Sequence, residues 1–162
     1  MLFVMQHLGH LKKSRSRWAG LILPWLLMAS LLLSACASPA TSSQGHSVAM
    51  ADMATMPSDV KAAPIMVQQA YQFAAANSQI LQQLPCYCGC GKAGHTSNYD
   101  CYISGIDANK GIQFDAHALG CSICVDITQD AMRLMREGKD LKSIRSYVDQ
   151  TYSRYGPSNM VQ

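Results

Sequence analysis

The stretch PCYCGCG, Pro85 to Gly91, sets three cysteines on alternate positions between a proline and a glycine. It ends one helical segment and opens a long loop, so its chemistry governs how the rest of the chain is arranged. Upstream, PIMVQQAYQFAAANSQILQQLP (64–85) places Val67, Tyr71, Ala74 or Ala75, Ser78 and Leu81 on one stripe, which predicts a helix running from one proline to the other. Downstream, residues 86–120 are rich in Gly, Asn and Asp. There CYIS (101–104) and IQFD (112–115) could pair as a short β-hairpin around DANKG. Ser122 is placed to cap a second helix to about Glu137, with Val125, Thr128, Met132 and Met135 inward and Gly138 at its end. Asp140 opens a third to about Arg154, carried by Leu141, Ile144, Val148 and Tyr152 and closed by Gly156-Pro157. The expected fold is mostly α: one small domain of about three helices, residues 61–157, with a cysteine-rich loop between the first two and a short tail at 158–162.

Cys86, Cys88, Cys90, Cys101, Cys121 and Cys124 lie in this domain. Three disulfides would suit a small exported protein and would make it a stapled binding module. Local geometry opposes part of that pairing. A disulfide needs Cα atoms roughly 4.4–6.8 Å apart with a near-perpendicular torsion, which cysteines one residue apart meet only in a strained ring. Alternation instead crowds three thiols, either on one side of an extended strand or around a point. Crowded thiolates repel one another unless a cation binds them.

Soft thiolate sites select Cu(I), Zn(II) or iron–sulfur clusters. Zinc prefers paired C-x(2–4)-C knuckles with four ligands, and only Cys121/Cys124 has that form. C-x-C-x-C favours Cu(I), with zinc the second candidate and an iron–sulfur cluster the least suited. His95, in the turn GKAGHTSN, and His117, four residues before Cys121, are candidate ligands or donors behind them. A second soft run, His46 with Met50, Met53 and Met56, offers an imidazole and thioethers in M-x-x-M-x-x-M spacing; the alternative is neutral filler in a linker. Cys121-Ser-Ile-Cys124 could also be a redox dithiol at a helix N-terminus. No βαβ pattern precedes it, and Val125 rather than histidine follows it, which excludes C-x-x-C-H haem attachment.

The compartment fits exposed sulfur chemistry. Residues 1–35 carry Lys12, Lys13, Arg15 and Arg17 without an acidic residue, then the apolar run WAGLILPWLLMASLLL (18–33). Leu33-Ser34-Ala35-Cys36 resembles the bacterial lipoprotein signal. It implies cleavage before Cys36, acylation of that cysteine and a lipid anchor on an extracytoplasmic membrane surface. Residues 36–60, small and Ala/Ser/Thr/Pro-rich, are expected as a flexible tether. Of thirteen Lys and Arg, four lie in the leader, leaving nine against ten Asp and Glu. A near-neutral mature chain without a basic stripe excludes nucleic acid as a partner.

At these motifs the chain resembles the family of bacterial lipoproteins named for PCYCGC. The resemblance rests on Pro85 to Gly91, Gly94-His95-x-Ser97-Asn98, Cys101, Asp115 with His117, Cys121-x-x-Cys124 and the helical tail EGKDLKSIRSYVDQTY. It covers roughly residues 64–156 and implies a lipid-anchored extracytoplasmic protein, without an activity to carry over. LMREGKDLKSIRSYVDQTYSRYG behind a C-x-x-C is similar to the helical thiol subunit of the cytochrome c maturation protein H family, which would imply dithiol or haem-maturation chemistry at Cys121 and Cys124. The residues together lead to an expected membrane-anchored binder of Cu(I), serving sequestration, delivery or resistance with a metal-donor or metal-acceptor protein as partner. Thiol–disulfide exchange and a stapled module stand as the alternatives.

Overall fold

The computed structural model describes residues 45–160. The leader, the apolar run and Cys36 lie outside these residues. No helix among the described residues is long and apolar enough to cross a membrane.

Among the described residues, five α-helices and a two-stranded antiparallel sheet surround one core: α1 (Ser58–Ala62), α2 (Ile65–Ala76), α3 (Ser78–Leu81), β1 (Ile103–Asp107), β2 (Gly111–Phe114), α4 (Ser122–Arg136) and α5 (Leu141–Tyr152). α4 is central, packing against α2 on one side and α5 on the other. Its heptad-like stripe buries Cys124, Val125, Ile127, Thr128, Ala131, Met132 and Leu134. The opposite face is charged, with Arg133 bonded to Asp130 and Glu137 at 2.9 Å each. Gly138 ends α4 at φ +77°, a left-handed position that suits glycine, and the Gly138 and Lys139 N–H groups return to the Met135 and Leu134 carbonyls. Asp140 caps α5, its carboxylate accepting from the Ser143 N–H at 2.7 Å. Ile144, Val148 and Tyr152 are buried as its spacing predicts.

Three local expectations are corrected. The helix expected over 64–85 is two helices broken at Asn77, which sits at φ −133°, ψ +46°. The Asn77 side chain donates to the Phe73 and Ala49 carbonyls at 2.8 Å each, so a buried amide competes with the helix ladder and wins. The hairpin forms, but its first strand starts two residues later than expected. Cys101 closes a 3-10 turn (Tyr99–Cys101) instead of opening a strand, and the ladder pairs Ile103 with Phe114 and Asp107 with Gly111 across a bulge at Ile103/Gly105. Ser122 begins α4 without a side-chain cap; Cys121 occupies the cap position.

The segment read as tether is built into the domain from residue 45 onward. Ala51 exchanges hydrogen bonds with Gln72, through backbone N–H to carbonyl at 3.0 Å and the Gln72 amide to the Ala51 carbonyl at 2.8 Å. Met53–Thr55 forms a 3-10 turn capped by Asp52, and Met56 and Val60 join the core. The apolar methionine side chain finds more to gain in the core than in solvent, about 1.5–3 kcal/mol for a fully buried side chain of this size. Of the soft run, Met56 is therefore core, Met53 is half-buried, and Met50 and His46 are exposed.

Tyr71 and Phe73 from α2, Leu81, Leu84, Tyr102, Ile127 and Met132 fill the centre, with Tyr71 and Tyr102 edge-to-face at 5.0 Å. The sulfur-bearing loop closes over one end of this core.

Candidate metal centre

Leu84, Pro85, Cys86 and Tyr87 are all buried, so the chain enters the motif from inside the protein. Tyr87 faces α5, its hydroxyl donating to Asp149 at 2.6 Å. Cys86 and Cys88 bring their sulfurs to 3.4 Å of each other. Gly89, at φ +83°, reverses the chain in a conformation that L side chains rarely adopt, and Cys90 starts a 3-10 turn. The three sulfurs therefore converge around a point, the second of the two arrangements that alternation allows.

The rest of the fold delivers the other donors. α4 carries Cys121 at its cap and Cys124 in its first turn, and Cys124 Sγ lies 3.4 Å from Cys86 Sγ and 3.6 Å from Cys88 Sγ. Cys101 comes within 3.7 Å of Cys90. His117 Nε2 is 3.5 Å from Cys88 Sγ. All eight residues fall into four overlapping groups whose ligand atoms lie within 4.8 Å of one another: Cys88/His117/Cys121/Cys124, Cys90/His95/Cys101/His117, Cys86/Cys88/Cys90 and Cys86/Cys101/Cys124. Four donors about 2.3 Å from one ion stand roughly 3.8 Å apart, so these spacings are those of ligands around ions. Every one of the six thiols is free.

His95 supplies an independent sign. Its Nδ1 is buried and finds no hydrogen-bond partner among the described residues. Buried polar atoms are rarely left so, because an unmade bond costs about 1–3 kcal/mol. On the other side of the ring, Nε2 faces Asp115 Oδ2 at 3.7 Å. A proton on Nε2 towards that carboxylate leaves the buried Nδ1 with a free lone pair, the arrangement by which carboxylates orient metal-binding imidazoles. The same carboxylate accepts the His117 backbone N–H at 2.7 Å, and the two imidazoles meet edge-to-face at 5.0 Å.

Electrostatics inside the cluster are uneven. Hydrogen bonds from Cys101, Cys124 and Cys90 hold the Cys86 thiol far below the usual range. Burial and the neighbouring Cys86 charge push Cys88 up, and hydrogen bonds with Cys124, Cys86 and Cys90 push Cys101 well up. At Cys124 a bond from Cys101 pulls downward, but the bond to Cys86 and burial outweigh it and the thiol is raised. Thiols crowded in this way resist ionising together unless a cation compensates them. Cys124 is fully buried, whereas reactive redox cysteines are partly exposed. Cys88 and Cys121 are half-buried, and Cys121 borders a pocket of about 370 Å³ lined by Met66, Val67, Leu119 and Val125.

Residues outside the sequence-derived set hold the scaffold. Asn98, fully buried, donates to the Cys124 carbonyl at 3.3 Å and accepts from Thr128 at 2.8 Å, while the Tyr102 hydroxyl also donates to the Cys124 carbonyl at 2.8 Å. Asn159 lies in the expected tail yet clamps the motif. It accepts from the Cys86 N–H at 2.7 Å, donates from its own N–H to the Cys86 carbonyl at 3.0 Å, and reaches Cys90 Sγ at 3.4 Å. Only the Ser97-Asn98 pair carries a motif signal; a single asparagine near the chain end carries none.

A model of the family described as proteins of unknown function with a PCYCGC motif matches residues 25–159. No curated protein and no solved structure matches the chain.

Proposed function

The chain belongs to the PCYCGC-motif family, and from that premise and the donor geometry we propose that it is a Cu(I)-binding protein of an extracytoplasmic membrane surface. The observation that carries this reading is the convergence of six free thiols and two imidazoles, one with an orphaned buried nitrogen, into groups of ion-binding size. Cys86, Cys88 and Cys90 are the core of the site, Cys101, Cys121 and Cys124 complete it, and His95 and His117 close its nitrogen side. Copper(I) suits a sulfur-dominated set of low coordination number. A mixed sulfur and imidazole set also accepts zinc, so the test uses both metals.

Sequestration, delivery or resistance fits this centre better than catalysis. Most of the sulfurs are buried out of reach of a substrate, while the half-buried Cys88 and Cys121 give a donor or acceptor protein sulfurs to reach. The basic leader, the apolar run and Leu33-Ser34-Ala35-Cys36 support lipid anchoring at Cys36.

Anaerobic loading with Cu(I) or Zn(II), followed by gel filtration and metal analysis, tests the proposal. Copper is expected to stay with the protein and to give ultraviolet thiolate-to-copper absorption. Both signals vanish when Cys86→Ser, Cys88→Ser and Cys90→Ser are combined. Unchanged copper in that triple variant, or retention of zinc alone, would sink the copper assignment.

A further inference from the structure

The four donor groups share sulfurs, and the sharing bears on how many ions the centre takes. Cys86 belongs with Cys88 and Cys90 and again with Cys101 and Cys124. Cys88 and Cys124 recur with Cys121 and His117, and Cys90 and Cys101 recur with His95 and His117. Cys121 is the only sulfur confined to one group, since the other five each stand in two. Resting on the copper reading above, we propose that the centre holds a single thiolate-bridged cluster of four Cu(I) ions, one for each of the four groups.

A thiolate has lone pairs enough to bridge two soft cations, and Cu(I) is satisfied by few sulfur donors. Each group offers three or four donors, the number a trigonal or tetrahedral ion needs. A single ion with ligands at about 2.3 Å takes four of the eight donors and strands the others in a buried site. One of those at risk is the His95 Nδ1 that already lacks a partner. Charge points the same way. Cys86, Cys101 and Cys124 have no exposed surface, and a buried anion left without compensation costs several kcal/mol. One monovalent ion compensates a single thiolate and four compensate four, so more of the six sulfurs can serve as ligands when four ions bind. Loading changes no oxidation state: each thiol that binds gives its proton to solvent, and copper enters and remains as Cu(I).

The sharing also makes the groups interdependent. An ion in the Cys86/Cys88/Cys90 group fixes sulfurs that the neighbouring groups use, so a second ion finds its ligands already placed. The cluster therefore fills cooperatively, with partly loaded forms sparse.

The test titrates the full-length reduced protein in detergent with the acetonitrile complex of Cu(I) under nitrogen. Native mass spectrometry counts ions, and X-ray absorption reads copper–copper scattering. Saturation at four ions with few intermediates and a short copper–copper path is expected. Saturation below four, or no copper–copper path, overturns the cluster and leaves the simpler copper site standing. No copper uptake at all overturns both. Among variants, Cys86→Ser is expected to lower saturation by two ions and Cys121→Ser by no more than one. Equal losses overturn the bridging assignment. Cys90→Ser, also shared by two groups, makes the same comparison if Cys86→Ser does not fold.

Discussion

Asp115 is the residue on which the nitrogen side of the centre turns, because its two oxygens address the His95 ring and the His117 backbone N–H. Asp115→Asn keeps the size and the hydrogen bond to His117 but removes the charge that orients His95. Copper affinity is expected to fall about 10- to 100-fold, the usual cost of losing an orienting partner behind a metal ligand. Competition against a chromophoric Cu(I) chelator measures it, and an unchanged affinity would mean that Asp115 only shapes the loop. The donors themselves were legible in the chain, since cysteine and histidine announce their chemistry wherever they stand. Their supports were not: Asn98, Thr128 and Asn159 are ordinary polar residues until the fold sets them against the Cys86 and Cys124 backbones.

The helices followed their apolar spacing where nothing local competed. α4 and α5 lie within a residue or two of their expected bounds, because periodic burial and the Gly138 and Asp140 end signals agree. The break at Asn77 and the late start of β1 show the converse, a side chain or a sulfur drawn to a tertiary partner that local pattern cannot register. The Asp140 cap gives this scale its test. Its carboxyl lies below the ordinary 3.8 because the Ser143 backbone N–H binds the charged form. The stabilisation is therefore complete above 3.8 and lost as the pH falls through the lower folded value. Asp140→Ala is expected to lower the melting temperature at neutral pH, and the gap to wild type should narrow as the pH drops below 3.8. A gap that stays constant into acid would mean that the cap works without its charge.

At the scale of the whole molecule, the centre is a continuation of the core: Cys86, Cys90, Cys101 and Cys124 belong to the same buried cluster as Tyr71, Tyr102 and Ile127. An ion held there would consequently be linked to folding. Copper that binds only the folded form adds about 2.7 kcal/mol when free ion stands a hundredfold above Kd. Copper-loaded protein should melt higher than chelator-stripped protein in a calorimetric or circular-dichroism scan. Coincident melts would mean that the ion sits outside the cooperative unit.

The amino-acid sequence alone determined the donor types, the helical class and the reluctance of Cys86, Cys88 and Cys90 to pair, since these depend on side-chain chemistry, periodicity and short-range geometry. Tertiary structure decided that residues 45–60 pack into the domain, that Cys101 and Cys90 meet Cys86 and Cys124, and that an asparagine near the chain end clamps the motif. Those facts rest on contacts between residues far apart along the chain, and no local pattern encodes a distance that only the folded backbone sets.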